Sequence, residues 1–359
     1  MEIVKVQDLI LTRLEKNLLG GHSAEEVLGT WRLQATLASE EEIYTRPDIS
    51  IYDRLSRDVF FGAGFSEEFI DKFFRPFLGG IFFDTKLKTS AREFEFVIRM
   101  LSIGENCLPE EGMQKIPNYL KSLLPADSVR LNTQVKSIKE DGKGVTLSSG
   151  EFVAASCVVV ATCGKMASQL VPDVVSEMQE PKKTTCLYFA IDGKPPADVP
   201  TVFLNGDGVK DAQGTSTINN VCFPSMVASS YAPEGKSLAC VSLVGIPDQQ
   251  EDQLVADVKK QLVSWFGPSA NEWKPLRTYR IPFSQPSQEP PFEREQSVRR
   301  KEHLFLAGDH VETASINGAL RAGARCARAV SDFLLPSLVQ LNKEEVRKYA
   351  REKGINLSD

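Results

Sequence analysis

The residues best suited to chemistry lie toward the carboxyl end. The run His303-Leu304-Phe305-Leu306-Ala307-Gly308-Asp309 is followed, after a short loop, by Ser315-Ile316-Asn317-Gly318-Ala319-Leu320. An apolar strand ending in Gly-Asp sets a carboxylate at the carboxyl edge of a sheet, where α/β proteins bind ligands. Gly308 lets the backbone approach a ligand closely. Ser315 can cap a helix running through Ala319, Ala322, Ala327 and Val330 to Leu334. The first N–H groups of that helix are unpaired and carry the positive end of its dipole. Such a start suits an electron-rich oxygen, of a phosphate or of a ligand carbonyl. Small residues at Gly318, Ala319, Ala322 and Gly323 would let the helix pack closely. On residue types alone, an ordinary strand–helix crossover reads the same way.

Other chemistries find less support. No GxSxG accompanies a Ser–His–acid set, which argues against hydrolysis. Seven cysteines form no CxxC pair, so they read as reduced, mostly buried thiols, and a structural zinc site is not expected with three histidines to help. His310, beside Asp309, reads as a solvated or capping histidine rather than a proton shuttle, and Arg299-Arg300-Lys301 as a charged lead-in to a buried strand. Net charge is −6 and the basic residues are scattered, which argues against nucleic acid as a partner. The longest nearly uncharged apolar run, Phe152 to Gly164, is too short for a membrane span, leaving at most peripheral membrane contact.

The elements that must position the Gly-Asp strand come in three stretches. Residues 1–105 read as mainly helical, opening with an amphipathic helix over Met1 to Lys16 that Gly20-Gly21 stops; Ser23 caps a second. Between Val59 and Phe83 stand nine of the 20 phenylalanines, either as a helical core or as the wall of an apolar substrate tunnel, and Pro76 is expected to end the helix over Ser66–Arg75. From Gly112 short strands are expected at Val129-Arg130-Leu131, Val135 to Ile138, Val145 to Leu147 and Cys157 to Ala161, the last buried on both faces. Further strands are expected at Cys186 to Ile191, Thr201 to Leu204, Ile218 to Phe223 and Leu238 to Val244. They are followed by an amphipathic helix over Asp252 to Phe266 and a proline-rich linker, Pro282 to Pro291.

His303 to Ala327 resembles the C-terminal flavin motif of the flavin amine-oxidase, protoporphyrinogen-oxidase and phytoene-desaturase superfamily, through Ala307-Gly308-Asp309, Ser315 to Leu320 and Ala322-Gly323. Leu108 to Pro117, Val129 to Ala161 and Phe65 to Phe83 are similar to further segments of the same superfamily, the last to plant and cyanobacterial members. In Leu108 to Pro117, Glu111 replaces a common Gly. The resemblance implies noncovalent FAD. It assigns Asp309, with Gly308 beside it, to the ribityl–pyrophosphate region and the helix start at Ser315, Ile316, Asn317 and Gly318 to the flavin pyrimidine edge. It also assigns Val135 and Ala161 to the adenine side.

The same resemblance exposes a departure. A dinucleotide-binding fold opens with a strand, GxGxxG and a helix, and no such unit precedes residue 112; Gly62-Ala63-Gly64-Phe65-Ser66-Glu67 reads as a turn and helix start. The expected fold is therefore α/β (mixed α+β): an incomplete FAD-binding Rossmann-like domain plus a substrate domain with a mixed sheet and helices. Segments 1–107 and 181–295 are assigned to the substrate domain, 108–180 and 296–337 to the FAD domain, and 338–359 to a solvated tail. The expected function is an FAD-dependent oxidoreductase that moves a hydride from a hydrophobic or amine substrate to flavin. The alternative is a truncated, non-catalytic or partner-binding form that no longer holds FAD. The resemblance to plant and cyanobacterial members suggests the chloroplast, with the cytoplasm as the alternative.

Overall fold

The computed structural model describes residues 3–6, 38–56, 67–173, 180–206 and 218–334. In chain order its strands are β1 (Ile3–Val6), β2 (Asn106–Pro109), β3 (Val135–Ile138), β4 (Gly144–Leu147), β5 (Phe152–Ala154), β6 (Val158–Val160) and β7 (Lys182–Asp192). They continue with β8 (Val202–Leu204), β9 (Asn220–Cys222), β10 (Lys236–Val244), β11 (Lys274–Gln285), β12 (Arg299–Lys301) and β13 (Leu304–Leu306). The helices used below are α1 (Glu40–Thr45), α2 (Ile51–Ser56), α3 (Arg75–Phe82), α4 (Ala91–Ile103), α5 (Lys115–Ser122), α6 (Gly164–Leu170), α7 (Glu251–Phe266) and α8 (Ile316–Leu334). This is the mixed α/β architecture expected. The chain divides into two compact units, Met1–Arg130 with Gln179–Phe292, and Leu131–Met178 with Glu293–Asp359. The first crossing falls later in the chain than the 107/108 boundary expected from the sequence.

The first unit is built on a five-stranded antiparallel sheet in the order β11-β7-β10-β9-β8. Strand periodicity turns Leu187, Phe189 and Ile191 of β7 and Ala239, Val241 and Leu243 of β10 to one buried face. There they meet Leu254, Val258 and Leu262, spaced four apart along one side of α7. A second cluster gathers α2, α3 and α4. Phe69 stacks on Phe73 with centroids 5.4 Å apart, and Phe74 meets Phe94 edge-on at 6.1 Å. Phe69, Phe73, Phe74 and Phe82 are thus core, and the tunnel-wall reading does not apply to them. Buried Glu95 is paired with Arg46 and with Arg54 Nε, the latter at 2.9 Å, tying α1 and α2 to α4.

Several sequence expectations are corrected. Ile3–Val6 is a strand paired antiparallel with β2, not helix; the rest of that predicted helix and the Ser23 cap lie outside the described residues. Pro76 does not end its helix. A π-helical stretch, Ile70–Phe74, precedes it and Pro76 enters α3 in the first turn, where its missing N–H leaves no gap. Val129-Arg130-Leu131 is not a strand: Val129 and Leu131 are exposed and no described strand pairs with them. The proline-rich linker begins as the end of β11, which stands at the margin of its sheet. Its register shifts at Pro275/Arg277 and Ile281/Gln285 accommodate residues without a ladder donor.

In the second unit, β6 runs parallel to β13, with Leu304, Phe305 and Leu306 opposite Val158, Val159 and Val160, and β12 lies antiparallel on the far side of β13. The β6–β13 pair is covered on one face by α6 through Ala167 and on the other by α8 through Cys326 and Phe333. The strand expected to be buried on both faces instead closes the described sheet, and Val159 remains 41% exposed. β3, β4 and β5 form a separate antiparallel meander.

All seven cysteines carry free thiols, but only Cys326 is buried; Cys107 and Cys163 are exposed, so "mostly buried" does not hold. The hydrogen bond with Cys240 and burial push the Cys186 thiol up, and burial does the same to Cys326. A brief pulse of iodoacetamide on the native protein should therefore label Cys107 and Cys163 and spare Cys186 and Cys326, as read by peptide mass spectrometry. In the first unit, Phe189→Ala should cost about 3–5 kcal/mol in urea unfolding, because its ring is fully buried between sheet and helix.

Candidate active site at the carboxyl edge of the parallel pair

The three apolar residues of β13 are buried, which fixes where the strand must stop. Ala307 N–H donates to Val160 O at 3.0 Å, so the chain stays in register with β6 up to the point where Gly308 turns away. Gly308 has φ 150°, a conformation that L side chains rarely adopt. A Cβ there would stand 2.7 Å from His310 Nδ1 and 3.4 Å from Thr162 O. A single 3-10 turn, Asp309–Val311, follows.

Beyond it the loop folds back onto the helix it precedes. Ser315 caps α8 with both its groups: its Oγ accepts from Gly318 N–H at 2.9 Å and its carbonyl from Ala319 N–H at 2.9 Å. A Cβ on Gly318 would lie 2.0 Å from Thr313 O, so only glycine permits this approach of loop and helix. The first-turn N–H groups of Ile316 and Asn317 precede any intrahelical acceptor. Both residues are exposed, leaving those donors open to a ligand or to water.

Asp309 keeps 26% of its side chain exposed at this edge, with the His310 ring beside it, Nδ1 to Oδ1 3.9 Å. His310 is buried rather than solvated, and it makes no cap. Its side chain is 2% exposed, and among the described residues neither ring nitrogen has a hydrogen-bond partner. Arg299 of the charged lead-in lies over the Phe333 ring, 4.5 Å from its centroid.

The structure thus gathers Gly308, Asp309, Ser315, Ile316, Asn317 and Gly318 at one end of β13, with Ala161, exposed, at the matching end of β6. Val135 stands apart in the antiparallel meander, half-buried and paired with Leu147. The meander touches β13 from the opposite end, through the turn at Gly142 against His303 O. Sequence reasoning missed Glu312, whose side chain is fully buried among arginines. The signal was present in Arg321 and Arg325, one helical turn apart and facing back along α8. Among the described residues no cluster of three His, Cys, Asp or Glu could hold a metal ion, and no helix is long and apolar enough to cross a membrane.

A strand ending in Gly-Asp on a parallel pair, followed by a helix whose open start lies at the same edge, has the geometry that suits an anionic or nucleotide ligand. Residues 10–331 match the family described as flavin containing amine oxidoreductase. The chain belongs to that family and is an FAD-dependent oxidoreductase.

Solved structures agree on the fold. An oxidoreductase from Methanosarcina mazei superposes with a TM-score of 0.62 at 17% identity, covering 92% of this chain and 82% of that one. A redesigned double mutant of putrescine oxidase gives 0.61 at 14% identity, covering 86% and 74%. Cyclohexylamine oxidase from Brevibacterium oxydans gives 0.58 at 13% identity, covering 88% and 80%. No curated protein gives a significant match.

Two glycines of α8 separate close approach from helix propensity. Gly318→Ala should lower unfolding stability by roughly 1–3 kcal/mol by driving the loop off the helix. Gly323→Ala, where a Cβ meets nothing within 4 Å, should raise it by about 0.5–1 kcal/mol, both read by thermal melting.

Proposed function

We propose that this chain oxidises an amine substrate, passing a hydride to noncovalently bound FAD held at the carboxyl edge of β6 and β13. The observation that carries the reading is the joint geometry of Gly308, Asp309 and the start of α8: a partly exposed carboxylate at the same edge as the exposed first residues of the helix, Ile316 and Asn317. The residues present suit the cofactor at this end. Glycine at 308 and 318 lets the loop close against His310 and Thr313 and so keeps the Asp309 turn beside the start of α8, and among the described residues buried His310 has two ring nitrogens without a hydrogen-bond partner close by.

In this reading Asp309 accepts hydrogen bonds from the hydroxyls of the ribityl–pyrophosphate linker. Ile316 and Asn317 donate backbone N–H to the electron-rich pyrimidine edge, with the helix dipole behind them. Ser315 and Gly318 keep that helix start open and in place. Ala161 serves the adenine side, and the Val135 main chain is assigned there by the sequence resemblance alone. When bound, the flavin supplies the two-electron acceptor. Support for an amine as hydride donor comes from the family's description and from the likeness to putrescine and cyclohexylamine oxidases.

A long apolar substrate of the phytoene-desaturase kind, and with it the chloroplast, rests on the sequence resemblance alone, since the described phenylalanines of the Phe-rich segment are mostly spent on the core. A second reading, a partner-binding form that holds no FAD, is favoured by one feature. Among the described residues no Gly-rich strand–loop–helix cradle stands beside β6, where Val159 is exposed.

The substrate class is read by anaerobic mixing of the FAD-loaded protein with primary amines, diamines and a carotenoid precursor in detergent. Bleaching of the long-wavelength flavin band by an amine is the expected result. Bleaching by the polyene alone would replace the amine, and a protein that takes up no FAD would favour the second reading.

A further inference from the structure

Three residues past Asp309, the carboxylate of Glu312 has no exposed surface and sits among three guanidinium groups. Arg325 Nη1 is 2.6 Å from Oε2, Arg294 Nε is 3.5 Å from Oε1 and Arg321 Nε is 3.7 Å from Oε1. Such a cluster is a poor device for stability alone, because desolvating the charges costs as much as their attraction returns, and apolar substitutes often do as well. Its value here is in what it joins.

Arg325 comes from the third turn of α8 and forks. One arm holds Glu312, and Nη2 donates to Gln296 O at 2.6 Å. Gln296 N–H in turn donates to Val311 O at 3.1 Å. Arg321, one turn earlier on the same face, also reaches Glu295 Oε1 at 3.0 Å. The segment 294–296, the loop at 311–312 and the first three turns of α8 therefore meet on one carboxylate.

Both halves of the candidate site hang from this point. Toward β13, Glu312 N–H closes the turn on Asp309 O at 3.4 Å. Toward α8, only Thr313 and Ala314 separate Glu312 from the Ser315 cap, and Thr313 O is already pressed against Gly318. The Glu312 backbone is thus linked on one side to the Asp309 turn and on the other to the start of α8, and its carboxylate anchors that loop to Arg325.

We propose that Glu312 is a positioning residue, which through Arg325 sets the distance between the Asp309 carboxylate and the N–H donors of α8 and so determines how tightly FAD is held. The proposal rests on the flavin reading of this loop. The test uses the full chain and titrates FAD by fluorescence quenching, with visible circular dichroism of the bound flavin and a thermal melt alongside. Glu312→Gln keeps the shape and removes the charge. Glu95→Gln, the buried carboxylate between Arg46 and Arg54 in the other unit, is the control for a purely structural loss.

Glu312→Gln should weaken FAD about 10-fold and change the sign or shape of the flavin dichroism, whereas Glu95→Gln should lower the melting temperature and leave both flavin readings as in wild type. Arg325→Lys keeps the charge and loses the fork; it should show the same loss of affinity in weaker form, and it carries the test if Glu312→Gln does not fold. Wild-type affinity and dichroism in both variants, with wild-type chain loading normally, would overturn the positioning role and leave the flavin reading intact. Failure of the wild type itself to take up FAD would sink both.

Discussion

Three residues of parallel pairing, Val158 to Val160 against Leu304 to Leu306, hold together two segments of the second unit that lie far apart in sequence. Parallel strands cannot be joined by a tight turn, so their alignment depends on the layers that cover them. Here α6 covers one face through Ala167 and α8 the other through Cys326 and Phe333. With the pair in register, the chain leaves both strands at the same edge. Ala161 and Gly308 then lie at that edge, with Asp309 next in the chain.

The constraint passes from the pair to the helix. α8 must lie close enough to cover β13 and still start where β13 ends, which leaves only a short loop to reverse direction. Glycine at 318 admits the Thr313 carbonyl, and Ser315 Oγ accepts the N–H of Gly318, the third residue of the helix. The buried Glu312 with its arginines ties that loop to α8 and to the segment before β12. Chemistry is thereby placed by packing: a carboxylate and a set of N–H dipoles face one edge without any side chain reaching far from its backbone.

Much of this was legible in the residues. The apolar run before Gly308-Asp309 and the serine before a small-residue helix carry local signals of strand end and helix cap, and the structure puts both where those signals say. The core of the first unit was legible for the same reason, since Leu254, Val258 and Leu262 repeat at helical spacing. What failed was context. Val158-Val159-Val160 reads as a central strand because it is apolar on both faces, yet the described sheet ends with it. Pro76 reads as a stop, but it follows a π-helical stretch and enters the next helix in its first turn. Glu312 was missed because the helical spacing of Arg321 and Arg325 shows a basic face without showing which carboxylate the fold buries against it.

FAD held at the edge shared by β6 and β13 should survive purification of the chain and depend on Asp309. The most direct measurement is the visible absorption spectrum of the purified chain after incubation with FAD and removal of the excess, for wild type and for Asp309→Ala. A bound-flavin spectrum in the wild type that is lost or strongly weakened in the variant, with both proteins folded by far-ultraviolet circular dichroism, is the predicted result. A folded wild type that retains no flavin, or a variant that retains as much as the wild type, would contradict it.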